Sequence, residues 1–392
     1  MSKVVESYQK AKKRPLRELA EEILSALEDG GASPFRKEWD ASKSVVQLAP
    51  YNASSGRKYT GVYNATVLRR SMEKLAGEAR SLDTDPRFMT FNQYKKMAEK
   101  VEDLKLQKET KSVGIYVPIM VTKKDEADPS VETEAAPDIL RVDGGKDNGP
   151  APRKDKKILV GFRSVPVFNG INFDGMPPFQ LLPEHEERIK EAVYSSLDKI
   201  TRTMDMSISH GGDRAVYFEG NDHVQMPPLN TFSSEDCYVQ VLLHEITHST
   251  LHTSRLNRRP KVEEIVRGLG VSDPEIVGRA IEEFVADMGS VQMCVQMNLR
   301  PMALENHDGY LESWLRPLKQ HIPDRTKLVD TIEKALKMSE QAASYVMKIC
   351  GQHIEEAVRD VYELNRIDIP DLGIDPEDMV SEQQSAKAKM GM

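Results

Sequence analysis

The stretch His244-Glu245-Ile246-Thr247-His248 constrains this chain more than any other. It sits in Cys237-Tyr-Val-Gln-Val-Leu-Leu-His-Glu-Ile-Thr-His-Ser-Thr-Leu251, a run with the apolar spacing of a helix. Histidines four apart on a helix stand one turn above each other on the same face. Two imidazoles so placed can grip one zinc ion, and Glu245 between them can take a proton from a water that the ion polarises. Ser233-Ser-Glu-Asp236 is a helix start, with a serine cap and two acids in the first turn.

Such a zinc site needs a third protein ligand. Candidates lie on the next strong helix, which Asp273-Pro274 opens, at Glu282-Glu283-Phe-Val-Ala-Asp287. Glu283 and Asp287 are four apart and share a face, so either carboxylate can approach the ion. The favoured arrangement makes Glu283 the ligand and lets Asp287 accept a hydrogen bond from the far nitrogen of a ligating histidine. Thermolysin-like zinc peptidases use this order of motifs, with the glutamate of the first motif as base and then proton donor. His252 extends the series, but along a straight helix it lies about 12 Å from His244, too far to share the ion. It is read as a supporting or surface residue. Cys237, Cys294 and Cys350 have no ligand spacing and are read as buried apolar residues.

The rest of the chain must supply a substrate or partner. The net charge is −8, yet residues 1–120 hold 22 Lys+Arg against 16 Asp+Glu, a net of +6, which leaves −14 for the remainder. A basic first third can meet nucleic acid. Within it, Tyr51-Asn-Ala-Ser-Ser-Gly-Arg-Lys-Tyr-Thr-Gly-Val-Tyr-Asn64 brackets Arg57, Lys58 and Tyr59 between glycines, with Tyr63 and Asn64 beyond. Backbone amides freed by glycine, basic side chains and tyrosine rings suit a single strand; an ordinary polar turn has the same composition. The three cysteines imply a reducing, cytoplasmic setting, and no run is apolar enough for a membrane span or signal sequence.

Periodicity predicts a helix over 15–29, with Leu16, Leu19, Ile23, Leu24 and Leu27 on one face, and stopped by Gly30-Gly31. Helices follow over 67–80 and from Thr90 as cap. Strands are predicted over 111–122 and 158–169, paired with each other; the polar excursion 123–157 between them has the composition of a disordered segment. A linker is placed at 170–182. A helix over 184–204, short strands at 216–218 and 223–226, a loop over 260–272, helices at 305–320 and 326–363 and a disordered tail at 375–392 complete the chain. The fold class is α+β: a mixed N-terminal domain, 1–170, followed by a mainly helical metallopeptidase domain, 171–374, with a small β-sheet.

Several blocks, in order, resemble the ArdC-type antirestriction proteins of plasmids and phages over residues 8–350. They are Pro34-Phe-Arg-Lys-Glu-Trp39, Ser55-Gly-Arg-Lys-Tyr-Thr-Gly-Val62, Thr90-Phe-Asn-Gln-Tyr94, Pro166-Val-Phe-Asn169, Gly212-Asp-Arg-Ala-Val-Tyr217 and Gln225-Met-Pro-Pro228. The most specific are His244-Glu-Ile-Thr-His-Ser-Thr-Leu-His-Thr-Ser-Arg-Leu-Asn-Arg258 and Glu282-Glu-Phe-Val-Ala-Asp287. The resemblance implies an N-terminal domain that binds single-stranded DNA, a zincin-like metallopeptidase domain, and shielding of incoming DNA from restriction. It also implies DNA contacts at Arg57, Lys58, Tyr59, Tyr63 and Asn64. Three features depart from the family pattern: Ser249-Thr-Leu-His252 replaces Trp-Thr-Gly-His, Asp287 stands where Glu is usual, and the excursion is longer. Two other functions are compatible with the same residues: a non-enzymatic DNA coat whose metal is structural, and a maturation protease of a virus particle.

Overall fold

The computed structural model describes residues 14–28, 46–78, 85–123, 156–300 and 307–366. The predicted Gly30-Gly31 stop, the Pro34–Trp39 block, most of the 123–157 excursion and the 375–392 tail lie outside them.

Two antiparallel strands, β4 (Val113–Lys123) and β5 (Lys156–Asn169), form the longest ladder, as their alternation predicts. Short strands β1 (Tyr51–Asn52) and β2 (Arg87–Met89) extend it in the order β1-β2-β5-β4. Helix α1 (Pro15–Glu28) precedes this sheet in the chain, and α2 (Val62–Glu78) covers it, placing Leu68 and Met72 against Phe88, Ile115 and Val167. Helix α3 (Phe91–Ala98) starts at Thr90, where a full capping box forms with Gln93. Strand β3 (Lys105–Leu106) pairs with β6 (Phe173–Asp174), so the start of the predicted linker folds back onto the first part of the chain.

The second part is mainly helical: α4 (Pro183–Thr203), α5 (Glu235–Ser249), α6 (Arg259–Leu269), α7 (Pro274–Gln296), α8 (His307–His321) and α9 (Arg325–Leu364). Its sheet has the order β7-β9-β8, with β7 (Ser207–His210) parallel to β9 (His223–Met226) and β8 (Val216–Phe218) antiparallel to it. The expected loop over 260–272 is helix α6 for most of its length. Val262 and Val266 lie four apart and are buried in the core beside Gly278 of α7, which gives that segment a reason to coil.

Among the described residues two large cores hold this part together, and α9 runs through both. One joins Val193, Leu197 and Ile200 of α4 to the small sheet and α5. The other joins Ile281, Phe284 and Met288 of α7 to Ile332 and Leu336 of α9, and it includes Leu19 and Ile23 of α1. Both α1 residues are fully buried there. At roughly 1.5–3 kcal/mol for each such side chain, α1 contributes substantially to the core behind α7. All three cysteines are buried and free, as expected of apolar residues. Among the described residues no helix is long and apolar enough to cross a membrane.

Candidate metal centre

Helix α5 begins at Ser234, whose hydroxyl accepts from the Cys237 amide at 3.2 Å, with Glu235 and Asp236 in the first turn. Val239, Leu242, Leu243 and Ile246 bury one face in the core, which turns His244 and His248 toward α7. Helix α7 buries Ile281, Phe284, Val285 and Met288 and presents Glu282, Glu283 and Asp287 to α5. Gly289 lets the helices approach closely, because a Cβ there would stand 2.7 Å from Thr247 Cγ2.

The result is a three-sided group. His244 Nε2 and His248 Nε2 are 3.0 Å apart. Glu283 Oε2 lies 3.4 Å from the first and 3.5 Å from the second. Donors bound tetrahedrally at the usual zinc–ligand lengths stand about 3.3 Å apart, so these three atoms fit the corners around one small divalent ion. They form the one His/Cys/Asp/Glu group of this kind found among the described residues.

Each ring's other nitrogen is held by a carboxylate. His244 Nδ1 donates to Asp287 Oδ1 at 2.9 Å, and His248 Nδ1 donates to Glu282 Oε1 at 3.2 Å. Both bonds fix the tautomer that leaves Nε2 with a lone pair for the ion. Burial works to lower the pKa of both imidazoles. For His244, hydrogen bonds to Asp287 and Glu283 outweigh it; for His248, hydrogen bonds to Glu282 and Glu283 do. Both therefore end above the ordinary histidine range, while Glu283, against burial, is held below the ordinary carboxylate range by the two histidines. This is a site whose protons a cation displaces. Glu245 is buried and close enough to His244 to act on it electrostatically.

Sequence reasoning assigned no role to Glu282, Arg258 or Arg255. Arg258 is fully buried and grips Glu282 with two bonds of 2.7 Å. It also donates to Thr250 Oγ1 at 2.8 Å and to the Thr247 carbonyl at 3.0 Å. Arg255 grips Asp222 at 2.7 and 2.8 Å, and so ties the turn between β8 and β9 to the end of the histidine helix. Tyr217 donates to the same carboxylate at 2.8 Å. The available signal was the pair of arginines closing the block that starts at His244. His252 stands away from the metal group, bonded to Ser254 Oγ at 2.7 Å and 4.0 Å from Asp222.

The five residues assigned to DNA sit in varied settings. Arg57 is exposed, between Gly56 at φ +69° and Lys58. Lys58 is half-buried; burial pushes its ammonium down to about 8, with Glu355 of α9 working the other way. Tyr59 sets its ring edge-on to Phe88 at 6.5 Å, and its hydroxyl accepts from Asn52 at 3.0 Å. Tyr63 packs on Tyr116 with centroids 4.9 Å apart. Asn64 donates to the Tyr116 carbonyl and accepts from its amide, each at 2.8 Å, covering the outer edge of β4.

Comparison with known proteins agrees with both halves. The model of the zincin-like metallopeptidase family matches residues 195–329, around the metal group. The model of the N-terminal domain of anti-restriction factor ArdC matches residues 13–168. The metal group thus lies in a stretch matched by the zincin-like metallopeptidase family, behind a stretch matched by a different N-terminal domain. The chain joins a segment similar to the N-terminal domain of anti-restriction factor ArdC to a zincin-like metallopeptidase segment. The metal-free crystal structure of the antirestriction protein ArdC from plasmid R388 matches its fold with a TM-score of 0.52 and 23% identity, over 86% of this chain and 98% of that one. The DNA primase TraC of Escherichia coli is 28% identical over 313 residues, 78% of this chain but 18% of the primase. The uncharacterized protein y4eC of Sinorhizobium fredii is 26% identical over 327 residues, 81% of this chain and 88% of that protein.

Proposed function

We propose that this protein binds single-stranded DNA through its N-terminal domain, residues 1–170, and hydrolyses a peptide bond with a zinc ion in its second domain, residues 171–374. The biological result is protection of incoming plasmid or phage DNA from restriction. The observation that carries the hydrolytic reading is the 3.0, 3.4 and 3.5 Å triangle of His244, His248 and Glu283, with Glu245 one residue from the first ligand. His244, His248 and Glu283 hold the ion, and Asp287 keeps His244 in the ligating tautomer. When bound, zinc polarises a carbonyl and makes a water acidic near neutral pH. Glu245 takes the proton from the attacking water and passes it to the leaving amine. On the DNA side, the exposed Arg57 and its neighbours Lys58 and Tyr63 meet the strand, while Tyr59 and Asn64 shape the surface they stand on.

Substitution Glu245→Gln tests the chemistry. Metal content should stay at the wild-type level, while peptide cleavage and DNA protection should fall by about 10²–10⁴-fold. Full protection by this variant overturns the hydrolytic reading and leaves a DNA coat with a structural metal. Absence of single-strand affinity in the wild type instead favours a protease that docks on protein.

A further inference from the structure

We propose that Arg258 is a positioning residue of the metal centre, acting on His248 through Glu282. The inference rests on the metal-site reading above and adds to it a residue that touches no ligand. Glu282 precedes the ligand Glu283, so it projects roughly a quarter-turn around α7 and reaches the back of His248 rather than the ion. Its carboxylate receives three donors: His248 Nδ1 and Arg258 Nη2 on Oε1, and Arg258 Nη1 on Oε2. The bidentate fork fixes the plane of the carboxylate, and the carboxylate fixes the plane and tautomer of the ring. Arg258 is anchored in turn to the Thr247 carbonyl and the Thr250 hydroxyl, on the chain that carries His248. The relay closes a loop from the end of α5, through the arginine, to α7 and back to the second histidine.

The arrangement behind His244 differs. Asp287 bonds His244 Nδ1 with one oxygen, and its other oxygen, Oδ2, is buried without a hydrogen-bond partner. Among the described residues no arginine forms an ion pair with it. Of the two carboxylates that orient the histidines, Glu282 is the one paired with a buried guanidinium among the described residues. The carboxylates behind the two rings thus differ: Asp287 reaches His244 with one oxygen, and Glu282 reaches His248 as half of a bidentate ion pair. A lone arginine with no anionic partner would not persist in this place, since a buried unpaired charge is costly.

The test is a double-mutant cycle on the full chain, read as Co(II) affinity and the visible spectrum of the Co(II)-loaded protein. Arg258→Met removes the fork. Glu282→Gln keeps shape, but one amide oxygen cannot receive three donors while its NH2 group faces the guanidinium. Each single variant should bind Co(II) about 10- to 100-fold more weakly and alter the spectrum. The double variant should lose no more than the weaker-binding single variant, because both act along one path. Arg258→Lys keeps the charge without the fork and should recover part of the loss. A purely structural arginine would lower the melting temperature of the metal-free protein and leave the spectrum of the Glu282→Gln variant unchanged. Wild-type Co(II) affinity in Glu282→Gln, or losses that multiply in the double variant, overturn the relay. If Arg258→Met does not fold, Arg258→Lys and Glu282→Gln decide the question. Failure of wild type to bind Co(II) overturns the metal centre itself, a result distinct from failure of the relay.

Discussion

The metal centre and the glycine-bracketed segment from Tyr51 to Asn64 are both rich in polar side chains, and they spend them differently. In the metal centre, α5 and α7 aim two imidazoles and a carboxylate at one point, and a second ring of polar groups holds them there. In the segment, Asn52, Tyr59 and Asn64 turn back onto the protein, and Arg57 is left exposed. The difference follows from the backbone. A helix fixes the direction of each side chain to its neighbours three and four residues away, so polar residues there can share a target. A loop with two positive-φ glycines fixes no such direction, and its polar groups go where backbone donors and acceptors need partners.

The largest test of this contrast removes a convergent group. His248→Ala takes away one corner of the triangle and leaves Glu282 and Arg258 paired to each other. Metal affinity should fall by more than the roughly 10- to 100-fold expected for a supporting residue. Stoichiometric metal in that variant, measured by elemental analysis after dialysis, would break the assignment of the site.

The second test removes an inward-turned group. Asn64→Ala leaves the amide and carbonyl of Tyr116 without their 2.8 Å partners in a place where Tyr116 is buried. Unfolding in denaturant should become easier by about 1–3 kcal/mol. The affinity of the folded fraction for a short oligonucleotide should change little. A stability equal to wild type, with weakened binding, would return Asn64 to the DNA and erase the contrast at that residue.

The same contrast explains what was legible in the sequence. The histidine helix, its Ser234 cap, the α7 start at Pro274 and the β4–β5 pair were all readable, because each depends on local spacing or capping chemistry. The triangle of ligands was readable for the same reason. Strand β7 was missed, since Ser207-Ile-Ser-His210 has little strand character and is set by parallel pairing with β9. Helix α6 was missed because charged residues and Gly268 mask the spacing of Val262, Ile265, Val266 and Leu269. The apolar face of α1 was legible, but not its destination: the sequence shows that Leu19 and Ile23 are buried, and only the fold shows that they back the helix of Glu283. The partner of Arg258 was unreadable for a similar reason, since Glu282 lies 24 residues on and meets it only through packing.

The smallest expected effect is also the one that decides where DNA lies. Arg57 is exposed, so Arg57→Ala should leave the unfolding free energy within about 0.5 kcal/mol of wild type. If the guanidinium meets a phosphate, affinity for single-stranded DNA should fall several-fold on every sequence tried. The slope of log affinity against log salt should shrink by about 0.7, the value for one phosphate contact on a single strand. Lys58→Ala is the control within the same loop. Its ammonium is half-buried and faces Glu355, so that substitution should change stability and binding together. An unchanged salt slope in Arg57→Ala would move the DNA path away from Arg57 at the exposed tip of the glycine-bracketed loop.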